Sequence, residues 1–249
     1  MSELMPGAEP WSQSGDRRGA LCIHGYTGNP GGMRPVAEAL AAAGFTVELP
    51  RLPGHGTVVD DLLDKSWTDW TESVDATYAD LAARCDTVIV SGLSMGGALS
   101  LWLAAKHPEI AGLALINPVA RTQPDLVPVL RGMLDAGETV APGIGSDIAK
   151  EGVTESAYSD TPLRPVLSML DAVEKMQTGY GACTQPLLLM SSPQDHVVPP
   201  ADGDHLAATW GGPVERVVLE RSYHVATLDH DGELIQAEVV RFAREHSGS

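Results

Sequence analysis

Positive charge is scarce in this chain: 16 Lys and Arg residues stand against 33 Asp and Glu, a formal net charge of −17 at pH 7. Nucleic acid and anionic membrane surfaces both recruit basic patches, so neither is expected as a partner. Cysteine is sparse as well. Cys22, Cys85 and Cys183 are odd in number, far apart and never spaced C-x-x-C. That pattern argues against a disulfide framework or a zinc site and suits buried reduced thiols, which points to a cytoplasmic setting. No apolar run approaches the ~20 residues of a membrane span. Met1 to Pro10 carries two glutamates where a secretory leader would carry a basic region and an apolar core. Neither H-E-x-x-H nor a Walker A string occurs, so no metal or nucleotide cofactor is expected. Linkers, repeats and low-complexity tracts are absent too, and residues 1–249 read as a single domain.

What is present is an alternation of apolar strands and amphipathic helices. Strands are expected at Ala20–Ile23, Phe45–Leu49, Thr87–Val90, Gly112–Ile116, Pro186–Met190 and Glu215–Leu219. Helical patterns run from Met33 to Ala43, ending at Gly44, then from Ala98 to Ala105 and from Glu233 to Arg244. Ser66 and Asp69 form a capping box ahead of a helix whose apolar face is Trp67, Trp70, Val74, Tyr78 and Leu81. This order predicts an α/β fold, a mostly parallel central sheet with helices on both faces. Residues 121–182 break the rhythm: a helix at Leu126–Leu134, a Gly/Pro loop at Gly137–Gly145 and a helix at Leu163–Met176 replace a short connection. We read this stretch as an inserted cap lying over the site. Its residues Leu126, Val127, Val129, Leu130 and Met133 are read as the cap's own core, with an acyl tunnel as the alternative.

The most informative string is Gly92-Leu93-Ser94-Met95-Gly96, set between an apolar β-branched run and an apolar helical stretch. A sharp strand-to-helix turn crowds its backbone, so glycines two positions either side of the serine leave room and Ser94 projects as a nucleophile. A plain glycine-rich turn would use the same string, but the strand and helix around it favour the nucleophile.

A serine hydroxyl needs a base, and the base needs an acid to hold its tautomer. In hydrolases built on this turn the chain order is serine, acid, histidine. Asp195, after the strand ending at Met190, and His224, after the strand ending at Leu219, fall on the expected loops. Asp202, Asp204 and His205 lie deeper in a helical segment, Asp229, His230 and Asp231 open the last helix, where acids are ordinary N-terminal residues, and His196 is read as structural. An oxyanion also needs main-chain donors. Met95 supplies one, and Tyr26, in the loop His24-Gly25-Tyr26-Thr27-Gly28, supplies the other.

With these residues in view, the chain resembles the α/β-hydrolase superfamily, and within it the bacterial monoacylglycerol lipase and carboxylesterase group. The resemblance rests on His24-Gly25-Tyr26-Thr27-Gly28-Asn29-Pro30, Leu52-Pro53-Gly54-His55-Gly56, Gly92-Leu93-Ser94-Met95-Gly96-Gly97, Asp195-His196-Val197-Val198-Pro199-Pro200 and Ser222-Tyr223-His224-Val225-Ala226-Thr227-Leu228-Asp229. It implies hydrolysis of monoacylglycerol to glycerol and fatty acid through an acyl-enzyme, with no cofactor. By the same resemblance Ile144 lines the substrate path and Glu155 contacts the glycerol hydroxyls. A carboxylate reading a diol accepts hydrogen bonds that a triacylglycerol cannot offer. The group often carries phenylalanine where Tyr26 stands, which places a phenol near the pocket mouth. A short-chain carboxylesterase and a non-catalytic binding protein on the same fold are the alternatives. An apolar cap surface allows transient contact with lipid aggregates without a spanning segment.

Overall fold

The computed structural model describes residues 2–143 and 145–248. Strands β1 (Trp11–Gln13), β2 (Arg18–Ile23), β3 (Thr46–Leu49), β4 (Thr87–Leu93) and β5 (Gly112–Ile116) alternate with helices α1 (Arg34–Ala42), α2 (Trp67–Ala82) and α3 (Met95–Lys106). The connection from β5 onward carries α4 (Leu126–Asp135), β6 (Val140–Pro142), β7 (Asp160–Pro162) and α5 (Leu163–Met176). Then come β8 (Leu187–Ser191), α6 (Pro200–Thr209), β9 (Val214–Val218) and α7 (Gly232–His246).

The main sheet runs β1-β3-β2-β4-β5-β8-β9. All its pairings are parallel except β1 with β3, an antiparallel edge formed by three residues with no apolar pattern of their own. The central strands are apolar on both faces because helices cover both. Along them alternate residues feed two cores: Ile89, Ala114, Ile116 and Leu188 pack with Val36 and Leu40 of α1 and Ile235, Val239 and Phe242 of α7. Val90, Leu113, Leu115 and Leu189 pack with Trp70, Val74 and Leu81 of α2 and Leu99 and Leu103 of α3. The Ser66–Asp69 capping box starts α2 as expected, and the three cysteines are free and buried.

Two features of the β5–β8 connection differ from expectation. Val140–Pro142, inside the segment read as a loop, pairs antiparallel with Asp160–Pro162 as a small two-stranded ribbon. Helix α5 also belongs to the main core, since Leu163, Leu167, Leu170 and Val173 join the cluster built on α2 and α3. On α4, Leu130 is buried, whereas Val129 is 60% exposed.

Candidate active site

Strand β4 ends at Leu93 and α3 begins at Met95, leaving Ser94 alone to make the turn with φ 57° and ψ −116°. Positive φ is strained for a residue with a Cβ, and it persists because the surroundings enforce it. The Ser94 amide donates to the Ile116 carbonyl at 3.1 Å, and the Ser94 carbonyl accepts from Val119 at 3.1 Å. Glycine is required on both sides. A Cβ on Gly92 would strike the Gly96 carbonyl, one on Gly96 would strike the carbonyls of Ile23 and His24, and one on Gly97 would strike Pro118.

Asp195 lies in the loop after β8 and His224 in the loop after β9. His224 Nδ1 is 2.8 Å from Asp195 Oδ2, and both side chains are buried. The other oxygen, Oδ1, accepts from the amides of Val197 and Val198, each at 2.8 Å, so the acid cannot swing away. With the carboxylate beside it, Nδ1 carries the proton, which leaves Nε2 as the acceptor of the ring. His224 and Ser94 line one cavity of about 150 Å³.

The loop after β2 closes the opposite wall. A Cβ on Gly25 would lie 3.4 Å from Ser94 Cβ and 3.9 Å from its Oγ, which places the backbone leading to Tyr26 alongside the serine. Met95 is the first residue of α3, whose amide has no acceptor within the helix. The Tyr26 phenol does not hang free at a pocket mouth. It donates to the Pro162 carbonyl at 2.7 Å and stacks edge-on against His55 and Trp70, and burial pushes its pKa up.

Apolar side chains of Val119, Leu126, Val166, Met169, Leu170 and Val198 line the cavity. Polar groups interrupt that wall, among them Glu155 and the Arg121–Asp202 pair. Glu155 sits over Gly28 and Gly32 in the loop after β2, and burial raises its pKa to about 7 against the opposing pull of His224. On the β5 side Arg121 Nε donates to the buried Asp202 at 3.3 Å, and burial raises the Asp202 pKa despite that partner. Since β4 lies between β2 and β5, these groups flank Ser94 on opposite sides. Ile144, expected to line the entry path, lies outside the described residues; its neighbour Gly145 does line the cavity.

An α/β sheet with this turn, this acid–imidazole pair and a covered apolar cavity is the setting of serine hydrolases. Residues 16–231 match the family described as serine aminopeptidase, S33. The chain belongs to that family. It is 40% identical to a thermostable monoacylglycerol lipase of Bacillus sp. (strain H-257), over the full length of both proteins. A carboxylesterase of Bacillus subtilis (strain 168) is 22% identical over 94% of this chain and 95% of its own. Among solved structures, one from work on LipS and LipT, two metagenome-derived lipolytic enzymes, superposes with a TM-score of 0.93 at 42% identity. It covers 98% of this chain and 100% of its own. The monoacylglycerol lipase of Paleococcus ferrophilus shares the fold, with a TM-score of 0.76 at 18% identity, over 96% of this chain and 100% of its own.

In this S33 family member several residues that hold the site escaped sequence reasoning. Asn117, at φ 43° after β5, donates to Ser192 Oγ and to the His224 carbonyl and accepts from the Ser192 amide, joining the acid loop to the histidine loop. A non-glycine residue at positive φ just after a strand would have been a signal, but only coordinates reveal it. Asp229 and Asp231 do not act as simple helix-start acids. Asp229 accepts main-chain amides from Ala149, Lys150, Tyr223 and His230, and Asp231 accepts from Arg221 and Ser222. His196, read as structural, bonds to Asp147. Among the described residues Glu215, Glu245 and His246 come close enough to share a cation, but Arg241 already pairs with both glutamates at the surface.

Two further histidines support the site from below. His24 Nδ1 donates to the Gly25 carbonyl at 2.9 Å and its Nε2 accepts from the Leu52 amide at 3.1 Å, an arrangement only the neutral ring can make. Burial lowers its pKa to about 4, and burial likewise holds His55, 5.1 Å away, well below its ordinary value.

Proposed function

We propose that this protein hydrolyses carboxylic esters by way of an acyl-enzyme on Ser94, with monoacylglycerols as the preferred substrates. One observation carries the reading: His224, held by Asp195 at 2.8 Å, lines the same largely apolar cavity as Ser94, a serine on a strained turn. In the first step Ser94 Oγ attacks the ester carbonyl while His224 Nε2 takes its proton. The proton passes to the departing glycerol oxygen. Water then attacks the acyl-enzyme with His224 again as base, releasing fatty acid and restoring Ser94. Asp195 stays ionised and stabilises the imidazolium. The amides of Tyr26 and Met95 receive the negative charge that develops on the carbonyl oxygen.

The wall formed by Val119, Leu126, Val166, Met169, Leu170 and Val198 suits an acyl chain. Glu155, on the other side of Ser94, suits the two free hydroxyls of glycerol. Residues 121–182 act as the cap that keeps water out. The names borne by the relatives, a monoacylglycerol lipase at 40% identity and a lipolytic enzyme structure at 42%, support the substrate class. No helix among the described residues is long and apolar enough to cross a membrane. Free buried thiols support a cytoplasmic setting, and contact with lipid aggregates is transient.

The test is a profile of kcat/KM over mono-, di- and triacylglycerols and p-nitrophenyl butyrate, run beside Ser94→Ala and His224→Ala. Monoacylglycerols should lead and both variants should be inactive. A clear preference for the butyrate would replace this reading with that of a short-chain carboxylesterase, and failure of Ser94 to react with a fluorophosphonate would make the protein a binder.

A further inference from the structure

The connection between β5 and β8 does more than cover the cavity, because one of its residues is bonded to both loops that carry the acid and the base. Asp147 Oδ2 accepts the main-chain N–H of His224 at 3.0 Å and that of His196 at 3.2 Å. Its Oδ1 lies 2.8 Å from His196 Nδ1, and its own carbonyl accepts the Val225 amide at 3.1 Å. The contacts therefore fall on His224 itself and on the residue next to Asp195. Only 12% of the Asp147 side chain is exposed, and it faces the cavity.

The segment is pinned from behind as well. Asp229 accepts the amides of Ala149 at 2.7 Å and Lys150 at 2.9 Å while also taking those of Tyr223 at 2.9 Å and His230 at 2.8 Å. Burial opposes its charge, but four main-chain donors outweigh that and hold the carboxyl below its ordinary pKa. Charge-assisted bonds of this kind are short and about twice as strong as neutral ones. Residues 147–150 are thus tied to the histidine loop from two sides. Asn117 ties the same two loops together from within the protein.

We propose that Asp147 is a positioning residue: by holding the Asp195 and His224 loops at a fixed spacing it makes seating of the cap a condition for His224 to serve Ser94. This rests on the reading of Ser94, Asp195 and His224 given above. Asp147 touches no reacting atom in this role. It acts through the imidazole, and a misplacement of about 1 Å at a reacting group costs about 100-fold in rate.

The experiment compares Asp147→Ser, Asp147→Asn and Asp147→Glu, with kcat expressed per serine titrated by a fluorophosphonate, so that misfolded protein is not counted. Asp147→Ser should lower kcat about 10–100-fold while KM on monoacylglycerol changes by less than about threefold. The rate of fluorophosphonate labelling should fall in parallel. Asp147→Asn should recover most of the loss, because its amide oxygen still accepts both main-chain N–H groups. Asp147→Glu, which keeps the charge but displaces the oxygens by a methylene, should not, and it decides the matter if the serine variant fails to fold. Wild-type kcat per titrated site in Asp147→Ser or Asp147→Glu overturns the proposal, as does an asparagine variant as impaired as the serine one. Hydrolysis that survives Ser94→Ala would instead remove the underlying reading, and the proposal with it.

Discussion

Glu155 rests directly on Gly28: a Cβ on that glycine would lie 2.5 Å from Glu155 Oε1, and one on Gly32 would lie 3.1 Å from the same atom. The two glycines form a seat that a side chain would fill. Because the colliding atom is the far end of a flexible side chain, Gly28→Ala should fold and simply push the carboxylate out of place. The ratio of kcat/KM for monoacylglycerol over p-nitrophenyl butyrate should fall by about tenfold, equivalent to about 1.4 kcal/mol of lost discrimination. An unchanged ratio would separate Glu155 from glycerol recognition.

Glu155 also makes a prediction about pH. Its folded pKa is raised to about 7 from an ordinary 4.5, so between those values the folded state holds the proton that the unfolded state has lost. Stability therefore falls as pH rises through that window. Glu155→Gln, which never ionises, should match the wild type near pH 4.5 and exceed it at pH 8 by roughly 6–12 °C in Tm, about 3 kcal/mol for a chain of this size. Thermal melts at the two pH values check this, and an advantage that is largest in acid would contradict it.

His24 and His55 act in the opposite direction. Both are buried neutral, with His24 at about 4 against an ordinary 6.5, so acid protonates the unfolded chain first. Their contribution to stability is complete above pH 6.5 and is lost progressively as pH falls toward about 4. Urea unfolding of Glu155→Gln, which lacks the opposing carboxylate titration in this range, should show stability declining between pH 6.5 and 5. A flat profile there would show that the two rings are not protected.

Asn117 holds four groups of the acid and histidine loops at once: Ser192 Oγ and N, and the carbonyls of Tyr223 and His224. Asn117→Ala leaves the buried Ser192 amide and His224 carbonyl unpaired, while Ser192 Oγ keeps its bond to the Tyr223 carbonyl, and should cost about 2–4 kcal/mol. It should also lower kcat in the protein that remains folded. Chemical denaturation and site-titrated kinetics measure the two effects separately.

These contrasts explain what could be read from the chain. The Ser94 turn is legible because a Cβ at Gly92 would collide with Gly96 across one sharp bend and the flanking strand and helix have their own periods, although the space Gly96 leaves is for Ile23 and His24 of a distant loop. Asp195 and His224 are legible through chain order and strand ends. Asn117, Asp147 and Asp229 leave no such trace, since each acts by accepting or donating main-chain bonds across 75 or more residues in contacts such as Asn117–Ser192, His224–Asp147 and Ala149–Asp229. The ribbon of Val140–Pro142 and Asp160–Pro162 is equally silent, being three residues a side with a proline in each. Trp11–Gln13 is a strand only because the edge of β3 is there to receive it.

The backbone of Ser94 carries one more implication. At φ 57° and ψ −116° it occupies ground that suits glycine far better than an L-residue with a side chain. Ser94→Gly should consequently yield a protein that is inert toward esters yet harder to melt, by about 1–3 kcal/mol. The hydroxyl is held ready at the expense of durability, and selection for thermal resistance alone would discard it first.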